Sequence, residues 1–326
     1  MATGSTASSY QSVLGIAKEA TPGTPVAATA FIPVRDIKPK PNIRKLMDSS
    51  WRGSMVDVVG VQAGVQSAEL SVSGDAFPDT IPWLLAGLYG SVTTTGSSAP
   101  YSHVITLLNS GNGQPTAYTV TDSDPLSTRQ YASSRVTELK LSWSSEELLN
   151  YDVTWMSWMG TPTTAPTTSY TTLLPAPSWQ CAASVAGSAV SNLREVEITW
   201  KRNDANPIFT LANQTSPYEI HVGPLSAEVK LTWVAATEQP LLDLLANTSQ
   251  ALQLNLTSGA GAGLTQIQVA SSAFMYTGVE KDKGSSWIEY SATGVFVGAT
   301  ADAGASGGYS PGKITVQNAV TSGTYA

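Results

Sequence analysis

The chain has few side chains of the types that carry enzyme chemistry. It contains two histidines, His103 and His221, one in each half of the chain and at positions that do not correspond. A catalytic triad or a histidine metal site needs further partners in a defined arrangement, and no motif in the sequence supplies them. The single cysteine, Cys181, has no partner for a Cys-x-x-Cys motif or an intrachain disulfide. We therefore interpret these three residues as structural.

Three further motifs have the composition of known sites but not their spacing. The run Gly259-Ala260-Gly261-Ala262-Gly263 lacks the Lys-Ser/Thr pair of a phosphate-binding loop. Asp122-Ser123-Asp124 lacks the glycine and the distal glutamate of an EF-hand, which favours a turn with Asx hydrogen bonding. Asp75 and Asp79 are candidate carboxylates for a polysaccharide hydrolase, but a turn or cap role is favoured for them. The sequence therefore predicts no enzyme, no cofactor and no metal site.

Basic residues concentrate in one segment of an otherwise acidic chain, whose formal net charge is −7. The cluster consists of Arg35, Lys38, Lys40, Arg44, Lys45 and Arg52. A nucleic-acid patch would need interleaved aromatic residues and a basic background, and a plain solvated loop is a second interpretation. We favour a contact with acidic neighbouring subunits, since a small-residue arm followed by a long charged loop is more backbone than a monomer needs.

Composition favours two β-rich domains that fold without disulfides. The chain has 326 residues, about twice the usual domain length of roughly 150 residues. Only 13% of the residues are charged, a low share that is common in β-rich surface and virion proteins. Nine Trp and twelve Tyr are enough to help fill two cores. No secretory signal and no membrane-spanning run is visible, so we expect a chain made in the cytoplasm that stays soluble until it assembles.

Period-two alternation of apolar and polar residues predicts strands at residues 69–73, 138–143, 195–200 and 228–233. Residues 150–158 and 287–297 are predicted as two longer strands, and 31–37 and 313–317 as further ones. The alternate prolines in Lys38-Pro39-Lys40-Pro41 exclude a helix or a central strand and begin a long connection, which in part forms a hairpin. Each half is expected to hold six to eight antiparallel strands and one short helix, arranged as a β-sandwich or a partly closed barrel.

Two stretches of the chain repeat one another. Residues 64–70 read GVQSAEL and residues 223–229 read GPLSAEV, which places the copies 159 positions apart (223 − 64). A Leu-rich segment follows each copy, at 81–86 and at 241–246. We predict two similar domains in tandem. The predicted boundaries are an arm at 1–30, a first domain at 31–160 with a long loop at about 38–66, a Pro/Thr linker at 161–177, a second domain at 178–300 and a tail at 301–326.

The N-terminal third resembles the tail tube (major tail) proteins of long-tailed, non-contractile bacteriophages. The resemblance rests on Gly15-Ile16-Ala17-Lys18-Glu19, on Thr21-Pro22-Gly23-Thr24-Pro25 and on Phe31-Ile32-Pro33-Val34. The stretch from Gly74-Asp75 to Leu84-Leu85-Ala86 fits as well. The motifs are short, and the resemblance is firmest over residues 13–90.

The resemblance implies a β-sandwich whose sheets join between subunits into a barrel around an acidic lumen. It implies that the arm and the long loop hold the neighbouring ring, which makes Lys38, Lys40, Arg44, Lys45 and Arg52 candidates for contacts between rings. The implied partners are further copies of the chain, a tape-measure protein and tail terminator and tip proteins. Viral DNA would pass through the lumen without specific binding, and the protein would reside in the virion tail.

Family members with one tube domain form hexameric rings, so a duplicated chain would form trimeric rings of pseudo-sixfold symmetry. Hexamers of a one-domain protein with a decorated second half remain an alternative at this point. A different virion or surface β-protein, such as a capsid decoration protein or an adhesin-type binding module, is the alternative function. Most Trp residues, including Trp143, Trp200 and Trp233, occupy strand positions suited to core packing and not to an exposed glycan-binding cleft.

Overall fold

The computed structural model describes residues 6–211, 213–284 and 286–325. These residues form twenty β-strands and two α-helices. The strands of the N-terminal half are β1 (Val13–Lys18), β2 (Ala30–Ile32), β3 (Asp36–Asp48), β4 (Gly60–Asp75), β5 (Gly90–Thr95), β6 (Tyr101–Leu107), β7 (Tyr118–Ser123), β8 (Thr128–Ser144), β9 (Asn150–Ser157) and β10 (Thr161–Pro162). The strands of the C-terminal half are β11 (Cys181–Val185), β12 (Ser188–Val190), β13 (Leu193–Arg202), β14 (Asn206–Ile208), β15 (Glu219–His221), β16 (Leu225–Val234), β17 (Gln250–Ser258), β18 (Thr265–Asp282), β19 (Glu289–Phe296) and β20 (Lys313–Asn318). The helices are α1 (Ile81–Tyr89) and α2 (Gln239–Leu245).

The largest layer is an antiparallel sheet of eight strands, in the order β3–β4–β9–β8–β13–β16–β19–β18. Sequences with period two build this sheet, because alternate side chains of a strand point to opposite faces. Leu70, Leu139 and Ile198 point from three of the strands into the core and are fully buried. The four strands predicted from alternation are confirmed as parts of β4, β8, β13 and β16.

Two smaller sheets complete an antiparallel β-sandwich, which confirms the predicted fold class. The first has the order β2–β1–β7–β8–β10, and the second has the order β12–β11–β17–β18–β20–β6–β5. Strand β8 belongs to two layers, since its first part pairs with β7 and its second part with β9 and β13. One hydrophobic cluster contains residues of all three sheets, so both halves of the chain contribute to a continuous core.

The strand pairing of the N-terminal half recurs in the C-terminal half. Strand β1 pairs with β2 and β7, and β11 pairs in the same way with β12 and β17. Strand β4 lies between β3 and β9, as β16 lies between β13 and β19. The register agrees as well, because Glu69 lies opposite Met156 and Glu228 lies opposite Val295. The repeated sequence therefore occupies the same place in two matching strand arrangements.

Backbone pairing and a buried arginine join the two halves. Strand β8 pairs with β13 and strand β6 pairs with β20. Arg202, at the end of β13, donates hydrogen bonds to Leu88 O (2.9 Å) and Tyr89 O (3.3 Å) in the last turn of α1. Burial lowers the pKa of Arg202 to about 10, so the guanidinium stays charged at neutral pH. A cation is favoured there because the last carbonyls of a helix carry partial negative charge.

The two helices begin alike and differ in burial. Each has a proline in its first turn, Pro82 in α1 and Pro240 in α2, where a missing N–H costs nothing. Every residue of α1 is buried, and the helix ends at Tyr89, followed by Gly90, whose φ of 90° suits a residue without a side chain. No residue of α2 is buried. No helix in the described part of the chain has the length and hydropathy to cross a membrane.

The expectation that residues 1–30 form an arm outside the core is wrong for β1. Leu14, Ile16 and Ala17 are buried, and β1 pairs with β2 and β7. A strand covered on both faces shows no polar alternation, which explains the failure of the sequence pattern. Residues 6–11 are exposed, as expected of an arm, and residues 1–5 lie outside the described part.

The long loop predicted at about 38–66 is mainly a β-hairpin. Strands β3 and β4 pair from Asp36 opposite Ser73 to Asp48 opposite Gly60. Pro39 and Pro41 are accommodated because β3 is an edge strand, which does not need every N–H for pairing. The strand predicted at 31–37 is interrupted after β2 and resumes in β3.

The tail predicted at 301–326 contributes to the core. The strand predicted at 313–317 is confirmed as β20, which bridges β18 and β6. Tyr325 is 2% exposed and donates a hydrogen bond to Asp79 O (2.6 Å). Its ring packs edge-on against Trp83 at 5.6 Å between centroids. The number of strands is also higher than the expected six to eight, with ten among the described residues of each half.

Candidate functional site

The two histidines have structural positions that differ from one another. His103 is fully buried in β6, where its ring nitrogens lie 2.9 Å from Thr94 Oγ1 and 3.1 Å from Asn318 Oδ1. Burial lowers the pKa of His103, and hydrogen bonding to Asn318 opposes that effect only in part. His221 is exposed at the end of β15. The burial of His103 keeps its imidazole out of reach of a substrate.

Two of the candidate carboxylates act in a turn and in an ion pair, whereas Asp79 Oδ1 is buried without a hydrogen-bond partner among the described residues. Asp124 Oδ1 accepts hydrogen bonds from Leu126 N (2.7 Å) and Ser127 N (2.8 Å), which is the Asx geometry predicted for that motif. Asp75 Oδ1 lies 2.8 Å from Arg35 Nη2. Within residues 6–211, 213–284 and 286–325, no cluster of three or more His, Cys, Asp or Glu side chains is suited to hold a metal ion.

Cys181 and the glycine run also lie in structural positions. Burial raises the pKa of the Cys181 thiol to about 11, although a hydrogen bond from the backbone of Asn255 lowers it in part. The thiol is therefore protonated at neutral pH and is a weak nucleophile. The glycine run contributes the short 3-10 turn Gly261–Gly263 between β17 and β18. Two surfaces of the molecule remain as functional candidates.

The first surface is the polar face of the eight-stranded sheet, on which acidic side chains outnumber basic ones. The alternation of the strands places its members on the side opposite the core. The acidic members are Asp36, Glu69, Asp75, Glu138, Asp152, Glu195, Glu197, Glu228, Glu280, Asp282 and Glu289, and the basic members are Lys38, Lys40, Lys140, Arg194, Lys201 and Lys230. An acidic face repels a polyanion and so disfavours adhesion of nucleic acid.

Ion pairs run across this face from strand to strand. Glu197 on β13 lies 3.0 Å from Lys140 on β8 and 3.0 Å from Lys230 on β16. Partial burial raises the pKa of Glu197, but hydrogen bonds from Lys140 and Lys230 together outweigh it and hold the pKa below its usual value. Lys201 on β13 lies 3.8 Å from Glu138 on β8. The pairing of these two strands, which joins the halves of the chain, is called the β8–β13 seam below. Charged side chains thus connect the two halves on the polar face.

The second surface is the outer end of the β3–β4 hairpin, which exposes large apolar side chains. Met47, Trp51, Met55 and Val56 are exposed by 67%, 100%, 104% and 60%. Contiguous exposed apolar side chains with a polar rim indicate a protein-binding site. Near Lys45, between its base and its outer end, the hairpin is anchored by Gln214, which donates to Ala63 O and Gly64 O at 2.6 Å and 2.8 Å.

The basic cluster predicted from the sequence lies along this hairpin. Lys38 contacts Asp36, and Arg52 contacts Asp48 at the outer end. Lys40 lies 4.0 Å from Glu69 on the neighbouring strand. Arg44 and Lys45 are exposed on β3. The five candidates are therefore spread over the length of the hairpin and do not form one compact patch.

The chain matches one family of known proteins over nearly its whole length. Residues 9–322 match the family model of the phage tail tube protein. The chain belongs to the phage tail tube protein family. This family is structural and not enzymatic, and a tail tube protein is a component of the virion that assembles with other parts of the phage tail. No curated protein matches the chain.

Sequence reasoning missed the apolar outer end of the hairpin in this tail tube protein. The available signal was Trp51 and Met55, two large side chains in a Ser/Gly-containing segment without strand or helix periodicity. Apolar residues that fit no core pattern are candidates for an interface. The basic residues of the same segment predicted electrostatic contacts and gave no sign of an apolar surface.

Proposed function

We propose that this tail tube protein polymerises into stacked rings, which form the tube of a long, non-contractile tail through which the genome is delivered. Three chains would form one ring of pseudo-sixfold symmetry, as expected for a duplicated two-domain form. The observation that carries the proposal is the β8–β13 seam, which joins two halves of matching strand order into one continuous sheet. Repetition of that seam between chains would continue the sheet around a ring.

The polar face of the eight-stranded sheet is proposed to line the lumen. Its excess of acidic side chains supports passage of DNA without specific binding, because phosphates are repelled and few basic groups are free to neutralise them. The ion pairs of Glu197 with Lys140 and Lys230 hold the nearest cations on the protein surface. A tape-measure protein would occupy the lumen before DNA, and terminator and tip proteins would close the ends.

The β3–β4 hairpin is proposed to hold the next ring. Its outer end offers Met47, Trp51 and Met55 for burial, and Arg44, Lys45 and Arg52 for contacts with acidic residues. Ring stacking is a contact between different surfaces that does not close on itself, and it therefore yields a filament.

Negative-stain micrographs of the concentrated protein test the proposal. We expect tubes or stacked rings, with threefold class averages at high resolution and pseudo-sixfold outlines at low resolution. The double variant Trp51→Ser/Met55→Ser is expected to remain folded and to give single rings, because it removes apolar area only from the hairpin end. Leu126→Ser, which changes a residue that is 81% exposed in the β7–β8 turn, is the matched control and should leave tubes intact. A strictly monomeric protein at every concentration would overturn the proposal.

A further inference from the structure

The eight-stranded sheet has two open edges. In the part of the chain that the structure describes, β3 pairs only with β4, and residues 275–282 of β18 pair only with β19. Open edges present unpaired N–H and C=O groups and are prone to pairing with another chain. The β8–β13 seam shows how this chain joins such edges within itself.

Each open edge has a counterpart in that seam. Strand β3 pairs with β4 in the same register as β13 pairs with β16. Asp36 lies opposite Ser73 and Glu195 lies opposite Thr232, and Ser73 and Thr232 are separated by the same 159 positions as the two copies of the repeat (232 − 73). In the same way β18 is to β19 what β8 is to β9. Both β8 and β18 carry a register shift at the corresponding place, after Val136 in the one and after Tyr276 in the other.

The register beyond that shift identifies the corresponding residues of β8 and β18. Leu139 lies opposite Val153, and Val279 lies opposite Ala292. Val153 and Ala292 correspond, since each lies three residues before the partner of a repeat glutamate, Met156 or Val295. Val279 therefore corresponds to Leu139, and Glu280 to Lys140. In the seam, Lys140 lies opposite Thr199, whose counterpart on β3 is Lys40.

Transfer of the seam register to two copies of the chain brings opposite charges together. Lys40 of one copy falls opposite Glu280 of the other, and Lys38 falls opposite Asp282. Both acidic residues are exposed, and the side chains of Lys38 and Lys40 are exposed by 74% and 70%. Oppositely charged pairs directly across an antiparallel ladder are favourable, whereas two β3 edges would place lysines against lysines.

The prolines of β3 make this edge more selective for its partner strand. Pro39 and Pro41 have no N–H to donate, and prolines and lysines on an edge strand discourage indiscriminate pairing. Their carbonyl groups still accept hydrogen bonds. An edge of this kind selects a partner strand with acidic residues at the matching positions, which β18 supplies.

A second, independent observation comes from the linker before β11. Ala176 N donates to Ala76 O (3.1 Å), and Leu149 N donates to Ala176 O (2.8 Å). The linker thereby closes one end of the N-terminal half, where Leu149 is fully buried. It then forms the 3-10 turn Ser178–Gln180 and enters β11.

The corresponding end of the C-terminal half is open. Ala235 N donates to Ile288 O (2.9 Å), as Ala76 N donates to Leu149 O (2.7 Å). Among the described residues none bonds to Ile288 N or Ala235 O, and Ile288 is 42% exposed. An open cavity of about 720 Å³ lies beside Ala235, and Trp233 Nε1 in its wall is buried without a hydrogen-bond partner.

The segment before β1 has the form needed to close this end. It contains the 3-10 turn Ser9–Gln11, with the sequence SYQ, and the linker turn Ser178–Gln180 has the sequence SWQ. Val120 lies opposite Tyr131 on β8 and Leu252 lies opposite Ser271 on β18, so β7 and β17 correspond in register. The pairing of β1 with β7 and of β11 with β17 then aligns Val13 with Ala182, and Ala7 therefore corresponds to Ala176. Residues 6–11 are exposed in the single chain, with Tyr10 at 99%.

We infer that a second copy of this chain docks on β18 and on the open end of the C-terminal half. Its β3 pairs antiparallel with β18, with Lys38 opposite Asp282 and Lys40 opposite Glu280. Its residues 6–11 cover Ala235 and Ile288 in the way that the linker covers Ala76 and Leu149. The same copy supplies both parts, as the C-terminal half supplies both β13 and the linker turn. The inference rests on the proposed ring, and it moves Lys38 and Lys40 from contacts between rings to contacts within one.

Cysteine pairs test the register in a Cys181→Ala background, which has no other thiol. Lys40→Cys with Glu280→Cys is expected to give disulfide-linked dimers and trimers, since directly opposed Cα atoms lie about 4.5–5.5 Å apart, within disulfide range. Lys40→Cys with Ser291→Cys is the matched control. Ser291 lies opposite Glu280 on β19, one strand farther from the seam, and this pair should not cross-link.

Deletion of residues 1–8 tests the proposed contact of residues 6–11 with Ala235 and Ile288. The deletion removes Ala7 and leaves β1 intact, so the chain is expected to fold. Loss of two backbone hydrogen bonds predicts a dissociation constant of the ring that is about tenfold higher or more, measured by sedimentation velocity over a concentration series. An unchanged dissociation constant would overturn the role of residues 6–11.

Micrographs of the same samples separate the inference from the proposed function. Rings that form without cross-links between positions 40 and 280, or with equal cross-linking in the Ser291→Cys control, would overturn the seam and leave the tube function standing. Neither rings nor cross-linked chains at any concentration would overturn both. Cross-linked trimers within threefold rings would support both.

Discussion

At the scale of single residues, the molecule keeps several ionisable groups buried where hydrogen bonds and not catalysis explain them. Arg202 is 4% exposed and bonds to the end of α1, and Glu19 is 5% exposed and accepts from Ser133 N at 2.9 Å. Burial raises the pKa of Glu19, although hydrogen bonds from Ser133, Thr119 and Gly23 oppose it. Such groups fix the position of neighbouring backbone and make stability depend on pH.

Asp122 provides a test of that dependence. Burial, and then repulsion from Asp124, raises the pKa of Asp122 to about 6. The folded pKa lies above the unfolded one, so the folded state binds the proton more tightly and stability falls as pH rises from about 4 to about 6. We expect Asp122→Asn to be more stable than wild type by about 1–2 kcal/mol at pH 7.5, after allowance for partial solvent screening, and by much less at pH 4.

Urea unfolding of the isolated chain at pH 4 and at pH 7.5 measures this difference. Asp57→Asn, at an exposed position in the β3–β4 connection, is the control for removal of one negative charge. A stability gain for Asp122→Asn that is equal at both pH values would contradict the assigned cause.

At the scale of elements, α1 and α2 both begin with a proline in the first turn, but α1 is buried and α2 is not. Leu84 and Leu242 are each the fourth residue of their helix, yet Leu84 is 1% exposed and Leu242 is 51% exposed. The C-terminal half contributes to the cover of α1 through Arg202, and Trp200 packs edge-on against Tyr89 at 6.4 Å. Nothing in the described part of the chain gives α2 an equivalent cover.

This contrast predicts different costs for the same substitution. Leu84→Ala should lower the free energy of unfolding by about 2–5 kcal/mol, because it leaves a cavity in the core. Leu242→Ala should cost less than about 1 kcal/mol in the isolated chain, since a half-exposed side chain loses little buried area. Chemical denaturation of both variants at low protein concentration measures these values. Equal costs would show that α2 is already covered in the monomer.

Elements with alternating sequence were predictable, and elements with special surroundings were not. Residues 69–73 and 195–200 alternate because one face of the large sheet is apolar and the other is solvated. The run Val13-Leu14-Gly15-Ile16-Ala17 has no such alternation, because β1 is covered on both sides. Pro39 and Pro41 excluded only a central strand, and β3 is an edge strand, a position that depends on the rest of the sheet. The basic residues of the hairpin were found by composition, whereas β18 as their partner needs the register.

At the scale of the whole molecule, the C-terminal segment ties the halves together. Strand β20 pairs with β18 and β6, and Asn318 donates to Pro78 O (2.9 Å) in the N-terminal half. Ile314 and Val316 are fully buried. Strand β20 thus completes a sheet that contains strands of both halves.

Truncation after Gly312 tests this closure. We expect the truncated chain to lose cooperative unfolding or to unfold at least about 5 kcal/mol more easily, since it removes Ile314, Val316 and Tyr325 from the core. Denaturation followed by Trp fluorescence measures the loss. Truncation after Ser322, which also removes Tyr325 but keeps β20, should have a clearly smaller effect. Equal stability of the full chain and of the chain ending at Gly312 would contradict a structural role for β20.

The two halves differ in the connection that leads into β4 and its counterpart that leads into β16. The N-terminal half extends the β3–β4 hairpin outward, whereas the corresponding connection of the C-terminal half, β14 and β15, folds back so that Glu219 reaches Arg135 at 3.5 Å. A proposed ring of three chains would therefore carry three axial projections and not six. Successive rings would have only three equivalent rotational settings, and a ring turned by one sixth would meet the wrong half. The spacing of the hairpins would thus restrict the rotation of each ring relative to its neighbour along the whole length of the tail.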